Sequence, residues 1–106
     1  MPWLQRVRRA TRDFAIEEEP NNATYLDTYA WILHKMGKHT DAKTVLKRAM
    51  VYGGKENADI LDHYADVLFA LNEYDLAFIY WDQADKLDPS LGIAEKIQKR
   101  KSELNK

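Results

Sequence analysis

Side chains that could support catalysis or metal binding are few and widely spaced along this chain of 106 residues. The histidines are His34, His39 and His63. A metal site needs ligands that lie one helical turn apart or that converge in space. A turn separates His34 from His39, and His63 is distant from both in sequence. His34 and His63 could approach each other, and Asp62 or Asp66 could add an oxygen ligand. Histidines that lie at the surface in contact with solvent fit this spacing better. We predict no metal site and no cofactor.

No arrangement of nucleophile, base and acid is recognisable either. Ser90 and Ser102 lack the Gly-x-Ser-x-Gly turn of a serine nucleophile. A phosphate-binding loop is missing, because Gly53-Gly54 is not followed by Lys and then Ser or Thr. Asp62 and Asp66 lie one helical turn apart, which is typical of a solvated acidic face. We predict that the protein is not an enzyme.

Composition excludes several other classes of function. Lys and Arg number 16 against 17 Asp and Glu, whereas a nucleic-acid-binding domain is usually basic. The chain has no cysteine, so it contains no disulfide and no thiolate metal site. No apolar run approaches the roughly 18 residues that span a bilayer, and arginines interrupt the region where a secretory signal would have its apolar block.

The residues that must position any binding site form an internal repeat. Shifting the sequence by 35 residues aligns apolar and small residues that recur at helical spacing. The aligned pairs are Leu26 with Leu61, Asp27 with Asp62, Tyr29 with Tyr64, Ala30 with Ala65, Leu33 with Leu68, Ala42 with Ala77, Leu46 with Trp81, and Ala49 with Ala84. Each unit therefore predicts two amphipathic helices.

Residues that end helices separate these stripes. Gly37 aligns with Asn72, and Gly and Asn are the residues that most easily adopt the left-handed conformation of a tight turn between helices. Asp88-Pro89 and Glu19-Pro20 end helices, because proline cannot continue one. The residue in excess of the usual repeat length is expected in the linker around Gly53-Gly54.

This pattern resembles the tetratricopeptide repeat, in which alanines allow close helix contacts and about 34 residues form one helical hairpin. The resemblance implies an all-α solenoid of helix-turn-helix units with about six helices, in one domain over residues 1–106. We assign residues 1–20 to an N-terminal helix or partial repeat, 23–56 to the first repeat, 58–91 to the second repeat and 91–105 to a capping helix. More narrowly, the repeats resemble those at the C-terminus of Bacteroidetes-like bacterial envelope proteins. That resemblance implies a module of a larger bacterial protein in the envelope or periplasm, with the cytoplasm as the alternative.

The two ends differ from the full repeats. In the capping helix, Leu91, Ala94, Ile97 and Leu104 are expected to face the second repeat. At the front, four arginines and one aspartate accompany an apolar stripe formed by Trp3, Leu4, Val7, Ala10 and Phe14. We expect this stripe to dock on the first repeat; the alternatives are a weak homodimer through Trp3, Leu4, Val7 and Phe14, or contact with a membrane surface.

In tetratricopeptide proteins, the first helix of each hairpin lines a concave groove that binds protein or peptide partners. The resemblance carries this role to Asp27, Trp31, His34, Lys35, Asp62, Asp66, Phe69, Lys96 and Arg100. The family's clamp for chaperone tails uses Lys, Asn and Arg, and the acidic and aromatic residues here depart from it. They suit a ligand with a basic residue beside an apolar one. Alternatively, Asp62 and Asp66 pair with Lys96 and Arg100 within the chain. The predicted function is a protein-interaction module, with a structural or self-association spacer, or a membrane-surface adaptor, as the alternatives.

Overall fold

A computed structural model describes residues 22–105, and within that range the protein consists of five α-helices. They are α1 (Ala23–Lys35), α2 (His39–Val51), α3 (Ala58–Ala70), α4 (Tyr74–Leu87) and α5 (Ile93–Leu104). Single 3₁₀ turns at Gly54–Glu56 and Pro89–Leu91 precede α3 and α5. The helices α1 and α2 form one antiparallel hairpin, α3 and α4 form the next, and α5 packs on α4.

Equivalent asparagines start the two hairpins. The Asn22 side chain accepts a hydrogen bond from the backbone N–H of Tyr25 at 3.1 Å, and Asn57 does the same for Ile60 at 3.2 Å. A side-chain oxygen at this position satisfies a backbone donor that the first turn of a helix leaves unpaired. The two caps are 35 residues apart and thus belong to the repeat.

The predicted turns lie where they were expected. Gly37 and Asn72 have φ values of 79° and 65°, which is the left-handed region. In each turn the backbone N–H of the following residue returns to a carbonyl of the preceding helix, Lys38 to Leu33 and Glu73 to Leu68, both at 2.9 Å. These bonds satisfy carbonyls at the helix ends and reverse the chain within a few residues.

A close backbone contact explains the glycines between the two hairpins. Gly53 has a φ of 106°, and a Cβ at Gly54 would lie 2.8 Å from the carbonyl oxygen of Ala49 and 3.0 Å from Ile60 Cγ2. Only a residue without a side chain lets the linker lie this close to the end of α2.

The core matches the aligned residues. Six alanines are fully buried because they allow the helix backbones to approach closely, and the larger side chains of the core fill the space between them. The alanines are Ala30, Ala42, Ala49, Ala65, Ala77 and Ala84, and the fully or almost fully buried larger side chains include Leu33, Leu46, Leu61, Leu68 and Trp81.

The helix α5 departs from its predicted packing. Ile93, which was not predicted to face the stack, is its buried residue. Leu91 and Leu104 are each 40% exposed, Ala94 is exposed and only Ile97 is partly buried among the predicted contacts. Part of the difference arises because Leu91 lies in the 3₁₀ turn and the helix begins only at Ile93.

The count of about six helices is not matched, since five α-helices occupy residues 22–105. The predicted front helix, its apolar stripe and the proposed contacts of residues 1–14 with a membrane or a second copy lie outside the described residues. Across residues 22–105, none of the helices is long and apolar enough to cross a bilayer.

Candidate functional site

The helices α1, α3 and α5 together form a concave face with a cavity of about 350 Å³. Seven of the nine residues predicted for the groove line this cavity: Trp31, His34, Lys35, Asp66, Phe69, Lys96 and Arg100. Ala70 lines it as well and was not predicted. Asp27 and Asp62 lie beside the cavity, bonded to His63 and Lys96 respectively. The structure thus brings the predicted side chains to one surface.

The carboxylates of α3 are paired with a lysine of α5. Lys96 Nζ lies 2.8 Å from Asp62 Oδ1 and 3.0 Å from Asp66 Oδ1. This is the pairing that the sequence left open as the alternative to a basic ligand. Arg100 does not complete it; its guanidinium lies 3.0 Å from Glu103 on the same helix.

Burial and charge act in opposite directions in this cluster. Burial disfavours the charged form of Lys96, but the hydrogen bond that its ammonium donates to Asp62 and the charges of both carboxylates outweigh it and raise the pKa of the lysine. Burial also raises the pKa of Asp66, and the ammonium of Lys96 offsets only part of that effect. The cluster therefore connects α3 to α5 through the ion pairs of Lys96 with Asp62 and Asp66.

The indole of Trp81 is a further partner of Asp62. Its Nε1–H donates to Asp62 Oδ1 at 2.8 Å, while the ring is fully buried. Sequence reasoning placed Trp81 in the core but missed this bond. The signal was present, since a buried indole N–H needs an acceptor and Asp62 lies on the helix that packs against α4.

Asp27 is paired with His63 across the two hairpins. His63 Nδ1 lies 2.8 Å from Asp27 Oδ1 and 3.0 Å from Oδ2. Burial lowers the pKa of His63, but the bond to Asp27 and the charges of Asp27, Asp62 and Asp66 outweigh it, so the pKa is raised above its ordinary value. The imidazole also packs against Trp31, with ring centroids 4.6 Å apart. Asp27 therefore contributes to the junction between α1 and α3.

This pair makes stability depend on pH. The folded-state pKa of His63 lies above the unfolded value of 6.5, so its contribution is complete below pH 6.5 and is lost as the pH rises through the folded value. We expect His63→Gln to cost about 1 kcal/mol of unfolding free energy in mildly acidic buffer and less in alkaline buffer. Urea titrations at both pH values measure the difference. The same pH dependence in an Asp27→Asn background would contradict the assignment.

The first hairpin brings its two histidines together across the turn. His34 Nδ1 and His39 Nδ1 lie 2.8 Å apart, although the sequence separated them by a turn at Gly37. Burial lowers the pKa of His34, and the neighbouring charges of His39, Lys35 and His63 lower it further. Among residues 22–105 there is no group of three or more side chains that could hold a metal ion together.

Two aromatic rings form the apolar part of the cavity, each with a cation over it. Lys35 Nζ lies 4.8 Å from the ring centroid of Trp31, and the Arg100 guanidinium carbon lies 5.0 Å from that of Phe69. The ring of Phe69 also packs against that of Trp81, with ring centroids 5.6 Å apart. An aromatic surface with cationic edges binds apolar groups and anions, and it requires no cofactor.

Charge in the cavity is mainly positive. Three cationic side chains and one carboxylate line it, and the carboxylate is already paired with Lys96. The cationic groups beyond that cluster are the exposed Lys35 and the half-buried Arg100. The Arg100 bond to Glu103 involves one guanidinium nitrogen of a group that carries five donors.

Comparison with known proteins identifies a fold and leaves the family open. No protein-family profile matches the chain. Its sequence is 34% identical over 71 residues to the chloroplast PsbD mRNA maturation factor Nac2 of Chlamydomonas reinhardtii; the match covers 67% of this chain and only 5% of that protein. The N-terminal domain of the stress-induced protein STI-1 from C. elegans has a similar structure, with a TM-score of 0.65, 20% identity, and coverage of 82% of this chain and 73% of that chain.

The observed architecture is an all-α, tetratricopeptide-like stack of helical hairpins, as the resemblance implied. The narrower resemblance to Bacteroidetes-like envelope proteins stays a prediction, because the curated match is a chloroplast protein.

Proposed function

We propose that the chain is a protein-interaction module that holds an extended segment of a partner protein in its concave groove. The observation that carries the proposal is the cavity of about 350 Å³, whose aromatic residues Trp31 and Phe69 lie under the cations Lys35 and Arg100. Recessed apolar surface with a few polar groups at its edge is what a side chain of a partner needs for specific binding.

The partner segment carries an apolar or aromatic residue beside an acidic one. The apolar side chain enters between Trp31 and Phe69, and the carboxylate lies within reach of Lys35 or Arg100. Asp62 and Asp66, which suggested a basic ligand at the level of sequence, are already paired with Lys96 at 2.8 and 3.0 Å. A basic ligand would have to displace that ammonium from two carboxylates, which is unfavourable.

A matched set of short peptides tests the proposal. Fluorescence anisotropy compares peptides in which a Leu or Phe is followed by Glu, Gln or Lys. We expect the Glu peptides to bind tightest and the Lys peptides weakest. Lys35→Glu combined with Arg100→Glu should weaken binding of the Glu peptides by about 10-fold or more. The double variant reverses the charge of the two cationic side chains that line the cavity outside the Lys96 cluster.

Charge reversal elsewhere on the chain supplies the control. Lys47 on α2 and Lys55 in the linker are exposed and do not line the cavity. Lys47→Glu combined with Lys55→Glu changes the net charge by the same amount and should leave peptide binding unchanged. Preference for Lys peptides would instead support the basic ligand that the sequence suggested, and an equal loss in both double variants would reduce the effect to net charge.

The module's place in a larger protein is part of the same proposal. This chain spans about 5% of the length of the curated relative that it matches, so the groove would act within a much longer chain. A bacterial parent in the envelope, and a homodimer through Trp3, Leu4, Val7 and Phe14, rest on the sequence alone. A self-association spacer would have no need of a cavity lined by cations, which favours the binding module.

A further inference from the structure

We propose that His34 and His39 form a two-histidine binding site for a divalent transition metal, with Cu²⁺ as the preferred ion. Their Nδ1 atoms lie 2.8 Å apart across the turn that joins the two helices of the first hairpin. Metal–imidazole bonds of about 2.0–2.1 Å that meet at about 90° hold two nitrogens roughly 2.9 Å apart. The present spacing is thus close to that of two neighbouring ligands in a square-planar or octahedral complex.

The backbone conformation of the turn holds the two histidine residues close together. His34 lies in the last turn of α1, and His39 is the first residue of α2. Between them, Gly37 adopts its left-handed conformation and the Lys38 N–H donates to the Leu33 carbonyl at 2.9 Å. The ring centroids lie 4.6 Å apart and the ring planes are inclined at 59° to each other, so the two rings are not stacked face to face.

The chemistry of the two rings favours a metal ion over a second proton. A single shared proton satisfies both Nδ1 atoms in the apo protein, and two protonated rings could not remain at 2.8 Å because both would be donors. With two imidazole ligands and water at the other positions, affinity should follow the usual order, with Cu²⁺ above Ni²⁺ and Zn²⁺.

One neighbouring group opposes the site. Lys35 carries a positive charge next to His34 and lies over the Trp31 ring, 4.8 Å from its centroid. Repulsion between this ammonium and a bound cation should weaken the metal affinity. The opposition is useful experimentally, because Lys35→Gln should bind the metal more tightly than the unaltered chain does, whereas nonspecific binding to acidic surface would change little.

Isothermal titration of the full chain with Cu²⁺ and, separately, Ni²⁺ tests the site. We expect one saturable site, weakened by about 10-fold or more in His34→Gln and in His39→Gln, because each variant loses one arm of the chelate. His63→Gln is the matched control, since His63 bonds Asp27 rather than either ligand. It should bind the metal at least as tightly as the unaltered chain does, because it removes a neighbouring charge and neither ligand.

Tryptophan fluorescence gives a second readout that reports position. The Trp31 ring centroid lies 5.1 Å from that of His34, so bound Cu²⁺ should quench Trp31 strongly. Trp31→Phe should remove the saturable part of the quenching, and far-UV circular dichroism establishes that each variant is folded. The proposal is overturned if no saturable binding occurs, or if His34→Gln and His39→Gln bind as the unaltered chain does. It is equally overturned if His63→Gln loses as much affinity as they do.

Discussion

Trp81→Ala should lower the free energy of unfolding by about 3–5 kcal/mol, the largest effect that we expect from a single substitution in this chain. The indole is fully buried between α3 and α5, packs against Phe69 and Phe78, and donates a hydrogen bond to Asp62. Its removal leaves a cavity that closely packed helices fill only in part. Urea denaturation followed by far-UV circular dichroism measures the loss.

Two further substitutions, one at Trp81 and one at Trp31, show which part of this effect comes from the hydrogen bond and which from burial. Trp81→Phe keeps most of the ring but removes the Nε1–H donor to Asp62, and should cost about 1–2 kcal/mol beyond the loss of ring volume. Trp31→Ala removes an indole that is only half-buried and should cost clearly less than Trp81→Ala. An unfolding transition for Trp81→Ala that coincides with that of the unaltered chain would show that the second hairpin is packed differently.

Lys96→Met should destabilise the chain by about 2 kcal/mol. The substitution removes the ammonium that pairs with Asp62 and Asp66, whose side chains are only 20% and 16% exposed. The two neighbouring carboxylates then lack this ion pair. Breaking a fully buried pair costs about 3–5 kcal/mol, and partial exposure of these groups to solvent reduces that figure. The measurement is again urea denaturation at neutral pH.

A mutant cycle distinguishes the ion cluster from the packing of the lysine chain. Asp62→Asn with Asp66→Asn should restore much of the stability in the Lys96→Met background, because the repulsion between the carboxylates is then gone. Lys99→Met alters an exposed residue of the same helix and should be nearly neutral. Strictly additive effects of the three substitutions in the cycle would mean that Lys96 and the carboxylates are not coupled.

The fold could be predicted in detail because its determinants are periodic and local. Ala30 and Ala65, or Leu33 and Leu68, have the same spacing in both repeats, and small and large apolar residues at that spacing fit one helical hairpin. Gly37 and Asn72 mark the turns for an equally local reason, their tolerance of positive φ. Packing of α5 was predicted less well, since the predicted stripe included Leu91, which lies in the preceding 3₁₀ turn and not in the helix.

The site was predicted as a set of residues but not as a set of interactions. The resemblance to the tetratricopeptide repeat placed Trp31, Asp66 and Lys96 on one face, because it implies that the first helix of each hairpin lines the groove. Which charges neutralise each other depends on side-chain reach across helices, and periodicity carries no information about it. His34 and His39 illustrate this limit: five positions apart across a turn, they match no helical spacing, yet their nitrogens lie 2.8 Å from each other.

The slight attachment of α5 has a consequence for how the groove operates over time. This helix contributes Lys96 and Arg100 to the cavity, but Ile93 is its buried residue and the rest of its attachment is partial burial and the tether to Asp62 and Asp66. Elements with little buried surface open locally far more often than the whole domain unfolds. We therefore expect this wall of the groove to open locally, and we expect a bound segment that touches Arg100 to hold it closed. Part of the binding energy is then used to order the protein itself, so affinity for a partner and slow amide exchange in α5 rise and fall together.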